Sequence, residues 1–222
     1  MKKQQAGFTL IELAIVLVII GLLLGGVLKG QELINSAKVK NMASDFKNIQ
    51  VYIYGYQDKF RALPGDDKLA SSHLTGANTA TEITVGDLGN GVINGAYNSE
   101  AATNESALFW QHVRLAGLAA GPTIPTDPNY YPHNADGGRI GVSSVAGNTA
   151  VEVLPVAGGI SGAFIICSEG VLGKFAKQLD TALDDGNTQT GSVRVVTKGT
   201  KSIGLTNTDT LDPSPYVVCM AF

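Results

Sequence analysis

Proline is missing from the start of this 222-residue chain until Pro64, which is followed at once by Gly65. A proline-free segment lets one helix run on, because an internal proline removes a hydrogen bond and clashes with the preceding turn. Basic residues are few and dispersed: 16 Lys and Arg stand against 19 Asp and Glu, for a net charge of −3. That balance excludes the clustered positive footprint a nucleic-acid partner requires. Lys38, Lys40 and Lys47 read simply as the wet face of a helix. Catalytic signatures are also absent, since no H-E-x-x-H, G-x-S-x-G or G-x-x-x-x-G-K-[ST] occurs. His73, His112 and His133 are far apart, and His112, between Trp110 and Val113, reads as structural, so no enzyme is expected. Two cysteines, Cys167 and Cys219, are too few for a structural zinc site. In an exported domain they read as a disulfide closing a loop of roughly 50 residues, worth on the order of 4 kcal/mol in the chain-entropy model. In a reducing compartment they read as two buried thiols.

What is present is concentrated at the N-terminus. Lys2 and Lys3 precede an apolar run, Phe8 to Leu28, long enough to cross a bilayer as a helix. The run exceeds an ordinary signal h-region of about 7–15 residues, and no A-x-A-like cleavage site follows it. It reads as a retained anchor, with the N-terminus in the cytoplasm and the remainder outside. Glu12 breaks the run. A carboxylate at the centre of a membrane helix costs roughly 2.5–3.5 kcal/mol on insertion scales and usually has a partner. Lys29 lies roughly 25 Å up the axis at the helical rise, too far to serve. The small residues Ala6 and Gly7 stand on the N-terminal side, and cleavage between Gly7 and Phe8 would create an α-amino group. A second copy shifted along the axis could bring that amine to Glu12.

The stretch Gly7-Phe8-Thr9-Leu10-Ile11-Glu12 resembles the class III leader and cleavage motif of type IV prepilins and type II secretion pseudopilins. The strict match covers about residues 1–30. The resemblance implies cleavage after Gly7 by a membrane-embedded prepilin peptidase and methylation of the new terminal residue, Phe8. It further implies assembly through the N-terminal helices, with Glu12 compensating the Phe8 amine of a neighbouring subunit. The chain departs from many type IV pilins in having no proline in this half of the helix.

After Gly30 the apolar pattern becomes periodic. Val39, Met42, Phe46, Ile49, Ile53, Tyr56 and Phe60 recur at alternating spacings of three and four, one stripe along a helix. The helix is expected to run from about Phe8 to Phe60, roughly 80 Å, ending at Pro64-Gly65. Its C-terminal half should be clasped by a head, with the N-terminal half in membrane or filament. A short helix is expected near Lys68–His73 and a second near Asn104–Ala120, with Asn104 as N-cap, one face carrying Phe109, Val113, Ala116 and Ala120, and Gly121-Pro122 as terminator. Strands are expected over Arg139–Val145, Ala150–Val156, Gly162–Cys167, Ser192–Thr197 and Tyr216–Phe222, with a helix over Val171–Asp185 closed by Gly186. The fold class is α+β, a long N-terminal helix packed on an antiparallel sheet, as in pilin-like proteins. The segments are a leader (1–7), a transmembrane or filament-core helix half (8–30), an amphipathic half (31–62) and a globular head (63–222).

Asp184 and Asp185 sit where a helix C-terminus already carries negative potential, with Asp180 one turn earlier. Arg194, Lys174 or Lys177 could compensate them, or a bound Ca²⁺, which takes oxygen ligands. Asp66 and Asp67 are a weaker version of the same pattern. The expected role is a structural subunit of a type IV pilus-like filament. Its partners would be copies of itself or other pilins, prepilin peptidase, the inner membrane and an assembly machinery. It would be an inner-membrane protein with its head outside the cytoplasm before assembly, and part of a pilus or periplasmic pseudopilus afterwards. The alternatives are a minor pseudopilin of a type II secretion system and a membrane-anchored periplasmic binding module.

Overall fold

The computed structural model describes residues 9–81, 88–146, 160–197 and 214–222. The elements, in chain order, are α1 (Leu10–Phe60), α2 (Ala70–His73), α3 (Glu105–Leu115), β1 (Ile140–Ser144), β2 (Phe164–Leu172), α4 (Gly173–Leu183), β3 (Val193–Thr197) and β4 (Pro215–Ala221). The chain separates into two compact units, Met1–Lys38 and Val39–Phe222. The fold is α+β, a long N-terminal helix followed by a four-stranded antiparallel sheet, a layout consistent with a pilin-like fold.

The second unit is organised by the sheet, whose strand order is β1-β2-β4-β3. Alternate side chains of a strand point to opposite faces, and here both faces are covered. Ile166 of β2, Val218 and Met220 of β4, Val193 and Val195 of β3 and Val142 of β1 join the main core. In the same core lie Val39, Met42, Phe46, Ile49 and Ile53, the buried stripe of α1. Tyr56 extends that stripe into a smaller cluster with Ala70 and Leu74, and Phe60 packs half-buried against it. On the opposite face Ile165, Cys167, Val196, Val217, Cys219 and Ala221 gather with Tyr97 and Ile160. Cys167 and Cys219 are directly opposed in the β2–β4 register and are disulfide-bonded, 52 residues apart in sequence.

Several boundaries differ from expectation for local reasons. The helix α1 stops at Phe60 because Arg61 adopts a left-handed conformation (φ 56°), ahead of the Pro-Gly turn. The helix α3 ends at Leu115 and not near Ala120. Gly117 (φ 76°) donates its N–H to Arg114, and Leu118 donates to Val113. That pair of reversed bonds is a Schellman closure around a glycine that tolerates positive φ. Asn104 precedes α3, but its side chain makes no capping bond; its Nδ2 donates to Ser99 Oγ instead. Nor is α3 one-faced, since every residue from Glu105 to Arg114 is buried, the mark of a helix packed on all sides. The helix α4 starts at Gly173 because β2 continues to Leu172 through an irregularity between Ser168 and Val171. Gly186 lies two residues beyond the cap residue Asp184, not next to it. The strand expected over 150–156 lies outside the described residues.

Buried polar groups hold the connections. Gly65 N–H donates to His112 Nδ1 (2.9 Å), so the ring proton is on Nε2, which faces the Asn78 carbonyl oxygen (2.8 Å). Burial holds the His112 imidazole below its ordinary range, so it is neutral in the fold. Asp66 and Asp67 are buried rather than exposed at a turn. Asp66 accepts from the N–H groups of Gly89 and Gly91, which fastens the 88–91 segment. Burial would raise the Asp67 carboxyl, but bonds from His73, Tyr56 Oη–H (2.8 Å) and Leu69 N–H outweigh it and hold the group below the usual range. Glu105 has 0 % exposure, and burial together with the neighbouring Asp66 charge pushes its carboxyl upward. Arg114 ties down the proline-rich connection by donating to the carbonyls of Ala120, Pro122 and Tyr130.

Two predictions follow from these contacts. Removing the bridge with C167S/C219S should lower unfolding free energy by about 2–5 kcal/mol; denaturant unfolding with and without reductant measures it, and an unchanged midpoint would show the bridge is not stabilising. Stability should also carry two opposing dependences on pH. The depressed His112 group contributes stability that is complete above about pH 6.5 and is lost as pH falls through its folded value. The raised Glu105 group contributes stability that is complete below about pH 4.3 and is lost as pH rises through its folded value. The variant E105Q should make the loss with rising pH shallower and leave the loss with falling pH unchanged, read as the unfolding midpoint across a pH series. Asp45, Asp66 and Asp180, also raised by burial, keep the remainder.

Candidate functional site

In the first unit, Thr9 and Glu12 build the start of α1. Thr9 N–H and Oγ1–H both donate to Glu12 Oε2, at 2.8 and 2.7 Å, and Glu12 N–H donates to Thr9 Oγ1 at 3.3 Å. This is a capping box, in which a threonine at the N-cap and a glutamate three residues on satisfy each other's free backbone donors. The negative carboxylate also suits the positive end of the helix dipole. Thr9-x-x-Glu12, at the start of the apolar run, carries that capping signal in the sequence beside the cost of a charge there. Glu12 Oε1 has no partner among the described residues. Gly7 and Phe8 lie outside them.

Beyond the cap, the helix displays apolar side chains to its surroundings: Leu10 is 89 % exposed, and Leu17, Leu22 and Leu28 are exposed too. No charge occurs between Glu12 and Lys29. Lys29 then pairs with Glu32, both exposed, so the pair adds little stability. By length and composition this part of α1 is able to cross a membrane. Such an apolar surface needs a lipid or protein phase to cover it.

The second candidate set lies in the other unit. Asp180, Asp184 and Asp185 bring one carboxylate oxygen each within 4.8 Å of one another. Asp184 Oδ2 accepts from Val193 N–H (2.9 Å), and Asp185 accepts from Asn187 N–H (2.8 Å) and Thr190 Oγ1–H (2.9 Å). Asp180 is fully buried, and neither of its oxygens has a hydrogen-bond partner among the described residues. Burial, then the charges of Asp185 and Asp184, push its carboxyl up to about 6. Arg194 does not bond Asp180; it donates to the carbonyls of Gly191 and Gln189.

The histidines do not converge. His73 pairs with Asp67 (2.7 Å), His112 is locked between Gly65 and Asn78, and His133 bridges to Arg139. The Tyr56–Asp67–His73 chain was not foreseen, because it joins α1, the turn after it and α2 across three separate sequence neighbourhoods.

Residues 2–28 match the family described as the prokaryotic N-terminal methylation motif. No curated protein matches the chain. The match supports a type IV pilin or pseudopilin precursor with a class III leader, a motif class that is structural rather than catalytic. It implies processing by prepilin peptidase, and with the apolar helix it is consistent with membrane anchoring before assembly.

The capping box makes its own prediction. The variant T9V keeps shape and removes the hydroxyl, so amide exchange at residues 10–13 in detergent micelles should accelerate severalfold while exchange beyond Gly30 stays unchanged. Unchanged exchange at the first turn would mean the box is not stabilising.

Proposed function

We propose that the chain is a structural subunit of a type IV pilus-like filament, trimmed after Gly7, methylated on Phe8 and assembled through α1. The observation that carries this reading is Glu12, inside the matched motif, at the start of an exposed apolar helix with one carboxylate oxygen unused among the described residues. Removal of residues 1–7 leaves an ammonium group on Phe8. The Glu12 carboxylate of one subunit then pairs with that group on the next, and the apolar surface that faced lipid becomes the filament core. The head needs no catalytic group for this role. Its disulfide suits a domain outside the cytoplasm, where such bonds persist.

Intact-mass spectrometry of the protein from membranes tests the processing. The expected mass lacks residues 1–7 and carries one added methyl group; retention of Met1 through Gly7 overturns the reading. The variant E12Q separates the two roles of the glutamate, because glutamine serves in a capping box while carrying no charge. It should insert and be processed normally yet yield no filaments, and filaments at wild-type yield would refute the pairing. Sheared surface fibres containing the chain identify a pilus, whereas a secretion defect on deletion without fibres identifies a type II secretion pseudopilus.

A further inference from the structure

Helix C-termini favour cations, because their last carbonyl groups carry a partial negative charge. The end of α4 instead gathers three acids. Two of them are accounted for by the loop that follows: Asp184 holds Val193 N–H, and Asp185 holds Asn187 N–H and the Thr190 hydroxyl. The loop is moulded to this arrangement. At Gly191 (φ 77°) any Cβ would fall 1.9 Å from Asp184 Oδ2. Asp180 is not accounted for. It has 0 % exposure, both its oxygens lack a hydrogen-bond partner among the described residues, and one lies within 4.8 Å of oxygens from both neighbours. Lys177 offers it a favourable charge but no hydrogen bond, and that pull is weaker than the opposing effects of burial, Asp185 and Asp184. A buried carboxylate left so is destabilising unless a closer positive group meets it.

We propose that Asp180, Asp184 and Asp185 form a Ca²⁺ site at the C-terminal end of α4. The donors are all carboxylate oxygens, with no imidazole or thiolate, which suits a hard cation and not zinc. Three oxygens within 4.8 Å of one another are close enough to share one Ca²⁺ ion at ligand distances of about 2.3–2.6 Å. The open side suits the flexible geometry of Ca²⁺ better than the strict octahedron of Mg²⁺. Asp180 supplies the buried ligand, and Asp185, on the exposed side, leaves the remaining positions to water. The ion neutralises three acids at once and clamps α4 to the strand β3 through the Asp184–Val193 bond. With three carboxylates and an open side, its affinity belongs with the weak extracellular class, about 10⁻⁴–10⁻³ M. The site does not depend on the filament reading.

The test uses the full chain in detergent micelles, stripped with chelator and titrated with CaCl₂ by calorimetry. One ion per chain should bind saturably, and calcium at 100-fold above Kd should raise the unfolding midpoint by roughly 5–10 °C. D180N should bind at least tenfold more weakly and, in chelator, unfold at or above the wild-type temperature, because the unmatched buried charge is gone. D185N, altered only at the exposed position, should also weaken binding at least tenfold, so it decides the matter if D180N does not fold. Absence of saturable binding, a stoichiometry other than one, or wild-type affinity in the variants overturns the site. Mg²⁺ binding as tightly as Ca²⁺ overturns the choice of ion.

Discussion

An apolar helix surface cannot stay in water, and that constraint governs this chain from its first turn. From Leu10 to Leu28, α1 shows leucine, isoleucine and valine on every side, with one acid at the entrance and no other charge until Lys29. Fully covering one such side chain is worth about 1.5–3 kcal/mol, so the run as a whole dictates a lipid or protein surround. The change after Gly30, from all-round apolarity to a single stripe, marks where that demand relaxes. From Val39 onward only every third or fourth residue is buried, and the remaining faces meet water.

The head meets a different difficulty, the burial of acids. Asp66, Asp67, Glu105 and Asp180 are all buried. Three are provided for locally: Asp66 by glycine N–H groups, Asp67 by a phenol, an imidazole and a backbone N–H, and Glu105 by Asn94 at one oxygen, Oε2. These bonds tie the irregular segments to the rest of the head: Asp67 joins the turn after α1 to α1 and α2, Glu105 joins the loop at Asn94 to α3, and Asp66 joins the turn to the 88–91 segment. Asp180 lacks such provision, and that contrast, more than the count of carboxylates at the end of α4, singles it out.

Periodicity made the α1 stripe legible, through spacings of three and four. Strands β1, β3 and β4 were expected close to their observed positions, but β1 and β4 are buried on both faces and carry no alternation of two. Helix ends were less legible because they depend on a single residue's backbone. Gly117 closes α3 through two reversed bonds, while Gly121-Pro122 looks like the stronger breaker on composition. The T-x-x-E box is legible in the sequence, where Glu12 is both a charge in an apolar run and an ordinary capping residue. The buried acids were not legible. Asp66 finds its partners at Gly89 and Gly91, and His112 finds Gly65 and Asn78, pairings fixed by the tertiary fold alone.

Under the filament reading, the capping box bears on what the Glu12 charge can do. A free amine on Phe8 would sit at a helix N-terminus, where positive charge is unfavourable, and only four residues from the glutamate of its own chain. Pairing within one subunit therefore competes with pairing between subunits, and the net gain from exchanging one for the other is small. Nor does burial among apolar helices drive association from lipid, since acyl chains are as apolar as leucine. Close packing is left as the source of affinity. Gly21, Gly25, Gly26 and Gly30 favour it, because added side-chain carbons there meet nothing within 4 Å and the backbone is open to approach. The charge pair then acts as a register device. A neighbour displaced by one turn forfeits the intersubunit pair and returns each amine to its own chain's glutamate, so even a modest preference favours one axial offset among many that pack equally well.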